Sequence, residues 1–127
     1  MKKEEKYLKL NDVNSYKLAY NLSNYVWSIV VNWDYFSKKT IGIQFVRAVD
    51  SISANIAEGF GRYHKKDKIK FYHYSFGSVK ESLDWNLKAR VRNLLIKKQY
   101  DFILTELNKL PREINSLILF TKNNLKK

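Results

Sequence analysis

The amino-acid sequence predicts an all-α protein, a single-domain, antiparallel, up-and-down four-helix bundle. Apolar residues recur every three or four positions through most of the chain, as they do on one face of an α-helix. The 127 residues include one proline and four glycines, so few positions interrupt a helix, and the length suffices for one hydrophobic core. Helices are expected near residues 12–32, 40–61, 66–93 and 98–121. They form a bundle over 11–121, between a charged flexible segment (1–10) and a polar tail (122–127).

The first predicted helix carries apolar side chains on two faces. Its main stripe consists of Leu18, Leu22, Tyr25, Val26 and Ile29. A second stripe across the helix consists of Tyr16, Tyr20, Trp27 and Val31. A one-sided bundle helix needs only one apolar face. The second stripe either laps over the edge of the monomer core or forms a subunit interface, where Tyr and Trp are enriched.

The second predicted helix follows a connection over residues 34–40 and is capped by Ser37 or Thr40. Its core stripe consists of Phe45, Val49, Ile52, Ile56 and Phe60. A polar ridge on the opposite side consists of Gln44, Arg47, Ser51, Asn55, Glu58 and Arg62, and is either solvated or a contact surface. Small residues between the stripes predict close helix approach. Gly59 and Gly61 are expected to end the helix, since glycine suits a left-handed C-terminal cap.

The third predicted helix begins in a basic cluster, hereafter the first basic cluster: Arg62, Lys65, Lys66, Lys68 and Lys70. Cations beside aromatic residues suit a phosphate backbone with bases that stack, although such clusters are more often only solvated. One face of the helix is expected to carry Ile69, Tyr72, Phe76, Val79, Leu83 and Leu87. The opposite face is expected to carry Phe71, Tyr74, Ser78, Trp85 and Ala89. Gly77, in mid-helix, is expected to allow close approach to the second helix.

The fourth predicted helix follows a second basic cluster, which consists of Lys88, Arg90, Arg92, Lys97 and Lys98. The helix itself shows a clean 4-3-4-3 spacing of Ile103, Leu107, Leu110, Ile114 and Leu117. This spacing is typical of an amphipathic helix that packs one face against a core.

The charge balance of 24 Lys and Arg against 12 Asp and Glu gives a net charge of +12. This balance favours a polyanionic partner, which is nucleic acid, an acidic membrane surface or an acidic protein. The absence of cysteine excludes disulfides and thiolate chemistry and fits a cytoplasmic location. The first ten residues lack an apolar signal core, and no apolar run approaches the ~18 residues that span a bilayer.

Catalytic and metal-binding motifs are absent from the sequence. No glycine-rich phosphate loop or paired-histidine zinc motif occurs, and His64 and His73 fall on nearly opposite sides of one helix. Glu58 and Glu81 could meet as a carboxylate pair that binds metal or transfers protons, or each could pair with an arginine or a helix end. We expect no enzymatic activity, no cofactor and no metal.

Two strings carry a family resemblance: QFVRAVDSISANIAEGFGR at 44–62 and FGSVKESL at 76–83. They resemble the four-helix-bundle family of the 23S rRNA intervening-sequence proteins over about residues 11–120. The positions that match its motif are Gln44, Arg47, Ala48, Ser51, Ile52, Asn55, Ile56, Ala57, Glu58, Gly59, Gly77, Ser78 and Glu81. We interpret this motif as structural. Residues 34–38 lack the proline that is usual in the family's first loop.

The resemblance extends to the accessory proteins of diversity-generating retroelements and implies a ring-shaped homo-oligomer, a pentamer. The second apolar stripes of the first and third helices agree with an oligomer. The predicted subunit interface consists of Tyr16, Tyr20, Trp27, Phe71, Tyr74 and Trp85.

The sequence therefore predicts a non-enzymatic, basic oligomer that binds RNA or DNA through the ten residues of the two basic clusters. The alternative is a scaffold or adaptor that docks on an acidic or nucleic-acid-bound partner, for which the resemblance implies a reverse transcriptase. Basic charge alone does not separate the two, because both partners are polyanionic.

Overall fold

Four long helices make up the computed structural model, which describes residues 8–124. They are α1 (Asn14–Val30), α2 (Ile43–Gly61), α3 (Lys65–Val91) and α4 (Lys97–Asn124), with a short 3-10 turn (Leu10–Asp12) before α1. Consecutive helices pack together and α1 also packs on α4, which confirms the predicted antiparallel four-helix bundle. The described chain contains no strand. Residues 1–7 of the predicted N-terminal segment and 125–127 of the predicted tail lie outside the described range.

The predicted apolar stripes of α2 and α4 form most of the core. On α2 the residues that are no more than 1% exposed are Phe45, Val49, Ile52 and Ile56. On α4 they are Ile103, Leu107, Leu110 and Ile114, and on α1 Val26 meets the same limit, with Leu22 at 2%. Burying one such side chain contributes about 1.5–3 kcal/mol, so these stripes hold the helices together.

The buried face of α3 differs from the predicted one. It consists of Tyr72, Ser75, Val79, Ser82, Asn86 and Ala89, three of which are polar. Leu87, predicted on the core face, is 50% exposed, whereas Ala89, predicted on the opposite face, is fully buried. Ser75 Oγ donates to the main-chain oxygen of Ile52 on α2 at 2.7 Å, so polar pairing replaces apolar packing there.

The chain becomes helical earlier than predicted after α1. Residues Tyr35–Ser37 form one α-turn, and a π-helical segment (Lys38–Gly42) leads directly into α2. The Ser37 amide donates to Asp34 Oδ2 at 3.2 Å, so Asp34 caps this helical segment. Thr40 Oγ1 instead donates to Phe36 O, within the helical segment. The predicted connection over 34–40 and its caps at Ser37 or Thr40 are therefore wrong.

The predicted end of the second helix near Gly61 is confirmed, whereas the predicted left-handed glycine cap and the predicted close helix approach at Gly77 are wrong. The last residue of α2 is Gly61, but its C-cap is Arg62 in extended conformation, and no glycine in residues 8–124 has a positive φ. An added Cβ at Gly77 would meet no atom within 4 Å, so Gly77 makes no close helix contact. At Gly59 an added Cβ would lie 2.7 Å from Tyr72 Cε1. Helices α2 and α3 therefore approach closely at Gly59.

Candidate nucleic-acid interface

The two basic clusters lie at opposite ends of the bundle. The first cluster is at the α2–α3 connection and the second is at the α3–α4 connection. At 1.5 Å of rise per residue, Lys66 and Lys88 are separated by about 33 Å along α3. One chain therefore presents two separate cationic surfaces rather than one.

In the first basic cluster two lysines bind the ends of neighbouring helices. Lys68 Nζ donates to Phe60 O at 2.7 Å, at the end of α2, and Lys65 Nζ donates to Lys122 O at 3.0 Å, at the end of α4. Carbonyls at a helix C-terminus lack intrahelical donors, so these bonds satisfy orphan acceptors. Burial lowers the pKa of Lys68. Two cations at the start of α3, Lys68 and Lys65, thus cap the C-terminal ends of α2 and α4.

Two of the remaining cations of the first cluster, Arg62 and Lys70, lie beside aromatic rings. Arg62 pairs with Glu58 (Nη2 to Oε2, 2.8 Å), and its Cζ is 4.6 Å from the Phe71 ring centroid. Lys70 Nζ is 6.0 Å from the Tyr74 ring centroid. Lys66 and Lys70 are exposed, and Tyr74 is 47% exposed. This arrangement places the charges of Arg62 and Lys70 next to aromatic rings and leaves Lys66 exposed.

The second basic cluster is partly neutralised by its own neighbours. Lys88 pairs with Asp84 and Lys97 pairs with Asp101 within their own helices, one turn away. Arg90 Nη1 donates to Leu95 O at 3.0 Å, within the turn between α3 and α4. Arg92 and Lys98 are also exposed, and they take no part in these three contacts.

The polar ridge of α2 is bonded along its own helix. Ser51 Oγ donates to Arg47 O at 2.7 Å, and Asn55 Nδ2 donates to Ser51 O at 2.9 Å. Glu58 pairs with Arg62, as described above. These contacts fit a structural role for the ridge.

The proposed carboxylate pair finds separate partners. Glu81 Oε2 accepts from Trp85 Nε1 at 3.2 Å on α3, whereas the partner of Glu58 is on the α2 side. Among residues 8–124, no three Asp, Glu, His or Cys side chains lie close enough to hold a metal ion. The geometry therefore gives no support to a shared ligand site at the two glutamates.

The six predicted interface residues fall on two helices that do not contact each other substantially. Tyr16, Tyr20 and Trp27 lie on α1, while Phe71, Tyr74 and Trp85 lie on α3. Helices α1 and α3 stand diagonally across the bundle, since each packs on α2 and α4. Trp27 is 57% exposed and Tyr20 is 50% exposed. The two aromatic surfaces therefore occupy different sides of the bundle.

The sequence reasoning missed a groove of about 550 Å³ between α1 and the start of α2. Its walls include Trp27, Val31, Ile43 and Val46, and cations border it. The sequence identifies Trp27 and Val31 as part of a second apolar stripe, but it predicts a connection over residues 34–40. Because the sequence predicts no helix over residues 34–40, it does not predict that Lys38 and Lys39 lie beside this apolar surface.

Within residues 8–124, none of the helices combines the length and the apolar composition that crossing a bilayer requires.

Comparison with known proteins gives a family and a fold. The signature of the 23S rRNA-intervening sequence protein family matches residues 11–116. A crystal structure of a protein of unknown function, from the S23 ribosomal protein family of Bacteroides thetaiotaomicron VPI-5482, superposes with a TM-score of 0.71 at 16% identity. The alignment covers 82% of this chain and 97% of that one. No curated protein matches. Since the family signature spans most of the sequence, the chain belongs to the 23S rRNA-intervening sequence protein family.

Proposed function

We propose that this protein is a non-enzymatic, cytoplasmic homo-oligomer that binds RNA or DNA through its cationic surfaces. The observation that carries the proposal is the exposure of Lys66 and Lys70 at the α2–α3 end, where neither lysine is used to bind a helix end. Phosphate binding by lysine releases counterions, so exposed lysines favour a nucleic-acid ligand at low salt. The family name refers to 23S rRNA, which makes RNA the first ligand to test.

The cations of the first cluster divide into two roles under this proposal. Lys65 and Lys68 hold helix ends and add positive potential, while Lys66 and Lys70 are free to contact phosphate. Arg62 is 45% exposed, and its surface ion pair with Glu58 is weak enough to be exchanged for a phosphate contact. In the second cluster, Arg92 and Lys98 are the corresponding exposed cations.

Oligomerisation is supported by the two aromatic surfaces on α1 and α3. Contact between different surfaces of neighbouring subunits is heterologous, and such contacts close into a ring when the rotation between subunits allows it. A pentameric ring would repeat each basic cluster five times. Repetition raises the effective concentration of weak sites, so the assembly binds tightly even when one site does not.

Salt titration with labelled RNA and duplex DNA tests the nucleic-acid proposal. We expect the logarithm of the binding constant to fall linearly with the logarithm of salt concentration, by about 0.9 per duplex phosphate contact. The variant Lys66→Glu/Lys70→Glu should lose roughly two contacts per subunit engaged, and its slope should fall accordingly. These residues hold no helix end, so circular dichroism should show a folded bundle.

The matched control is Lys80→Glu/Lys109→Glu, which makes the same charge change at exposed mid-helix positions on α3 and α4. It should alter the slope less than the first-cluster variant does. Equal losses in the two variants would mean that net charge alone governs binding and that the first cluster is no site. Absence of binding at low salt by folded, assembled protein would refute the proposal.

The oligomer is tested by the mass of the particle in analytical ultracentrifugation. We expect five chains of 15.2 kDa to sediment together. Tyr20→Glu and Tyr74→Glu should each lower that mass, because a buried carboxylate without a partner opposes association. Leu119→Glu, at a 48% exposed position on α4, should leave it unchanged. A monomer at micromolar concentration would contradict the proposal.

A further inference from the structure

The groove between α1 and the start of α2 is built from apolar side chains one turn apart. Trp27 and Val31 line it from α1, and Ile43 and Val46 line it from α2. Gly42 lies in the groove, where an added Cβ would come within 2.9 Å of Val30 Cγ1. A larger residue at position 42 would therefore force the helices apart at this point.

Three of the apolar side chains that line the groove are exposed, and none of the three belongs to the buried core. Trp27 is 57% exposed, Ile43 is 45% exposed and Val31 is 40% exposed. The neighbouring core positions on the same two helices, Val26 and Phe45, are fully buried. Isolated exposed apolar residues are ordinary, but a continuous apolar surface with a polar border marks a contact site.

The border of the groove is positively charged. Lys38, Lys39 and Arg47 line it, and no carboxylate does. Lys39 Nζ donates a hydrogen bond to the Tyr35 hydroxyl at 2.9 Å. Within residues 8–124 none of these three cations forms an ion pair. The occupant that matches this surface presents apolar side chains flanked by carboxylates.

The walls favour a protein segment over a nucleic acid. A base is bound by stacking and by hydrogen bonds to its edge, whereas these walls are mostly aliphatic. The Tyr35 hydroxyl already accepts from Lys39. A helix that places apolar side chains at positions i, i+3, i+4 and i+7 fills such a groove with its apolar face.

We propose that the groove docks an amphipathic, acidic helix of a partner protein, with its apolar side chains between Trp27 and Ile43 and its carboxylates on Lys38, Lys39 and Arg47. The site is independent of nucleic-acid binding at the first basic cluster, because Ile43 and Arg62 lie about 28 Å apart along α2. Both sites can be occupied at once. Under this proposal Trp27 contacts the partner rather than a neighbouring subunit.

Fluorescence anisotropy with two labelled synthetic peptides tests the proposal on the full-length protein. Both peptides carry leucine and phenylalanine at i, i+3, i+4 and i+7; one carries glutamate at the flanking positions and the other carries lysine. The acidic peptide should bind at least about tenfold more tightly than the basic one. The variant Lys39→Glu/Arg47→Glu should reverse this preference, which a merely unfolded groove would not do.

A matched pair of apolar variants locates the binding site. Ile43→Glu should weaken the acidic peptide by about tenfold or more, while Leu87→Glu, at a similarly exposed position on α3, should not. No binding of the acidic peptide, or equal losses in the two variants, would overturn the proposal. A lower particle mass for Ile43→Glu would make the groove a subunit contact instead. Weaker RNA binding by Ile43→Glu would make it a nucleic-acid site.

Discussion

Replacing Gly59 with alanine should lower the free energy of unfolding by about 1–3 kcal/mol, the usual cost of inserting an extra group into a packed core. The new Cβ would lie 2.7 Å from Tyr72 Cε1, 2.8 Å from Lys68 O and 3.0 Å from Phe71 Cβ. The Lys68 oxygen belongs to the main chain of α3, so no side-chain rotation relieves that contact. Helices α2 and α3 must separate, and packing is lost on both.

Gly77→Ala is the matched control for this substitution. Gly77 also lies inside a helix, but an added Cβ there meets no atom within 4 Å. Alanine restricts the unfolded chain more than glycine does, so this variant should be more stable by about 0.5–1 kcal/mol. Urea unfolding followed by circular dichroism measures both changes. Equal shifts for the two variants, or a stabilised Gly59→Ala protein, would rule out close packing at Gly59.

Alkaline pH should destabilise the bundle through Tyr72. Burial raises the pKa of this side chain to about 12 in the folded protein, although a hydrogen bond with Thr121 opposes the shift. In the unfolded chain the pKa of the Tyr72 side chain is near 10, so the stability that Tyr72 contributes to the folded protein is fully present below pH 10. It is lost as the pH rises from 10 to 12, because only the unfolded chain then gains the favourable ionisation. Two pKa units correspond to roughly 2.7 kcal/mol.

The Tyr72→Phe variant isolates this effect from the titration of the lysines. At pH 7 it should be less stable than the wild type by about 0.5–1.5 kcal/mol, because it lacks the hydrogen bond with Thr121. Between pH 10 and 12 the difference should shrink and then reverse, since phenylalanine cannot ionise. Urea titrations of the two proteins at pH 7, 10 and 11.5 measure the difference. A constant difference would show that Tyr72 is not shielded from water in the folded protein.

All four helices were predicted from the sequence, but their buried faces were predicted well only where those faces are apolar. The α2 and α4 stripes follow from periodicity because nearly every buried position there is aliphatic or aromatic. On α3 the buried face includes Ser75, Ser82 and Asn86, which a search for apolar periodicity passes over. Tracing the bulkiest side chains instead led to Leu87, on the solvent side.

The start of the second helix was missed for a different reason. Five polar residues in seven and the absence of proline gave no clear boundary over residues 34–40. The signal that could have located it is Asp34, which precedes Ser37 by three residues and caps the turn. With Asp34 as the cap, the predicted helix would begin at residue 35, and the groove between this segment and α1 could then be predicted.

Charge clustering correctly grouped the cations but could not assign their individual contacts. The sequence places Lys65 and Lys68 in one basic cluster, but their acceptors, Lys122 O and Phe60 O, are brought to them by the fold. Whether a lysine caps a helix or remains exposed depends on which helix end lies beside it. Such information is tertiary, so no pattern along the chain contains it.

The bonds from Lys65 and Lys68 to the ends of α4 and α2 bear on how this surface can change in evolution. Selection for a stable bundle is enough to retain these two lysines, whatever the protein binds. Part of the positive charge should therefore persist even in a relative that has lost every polyanionic ligand. In such a relative Lys66 and Lys70 are free to drift, so these positions, rather than the total charge, would record a lost nucleic-acid site.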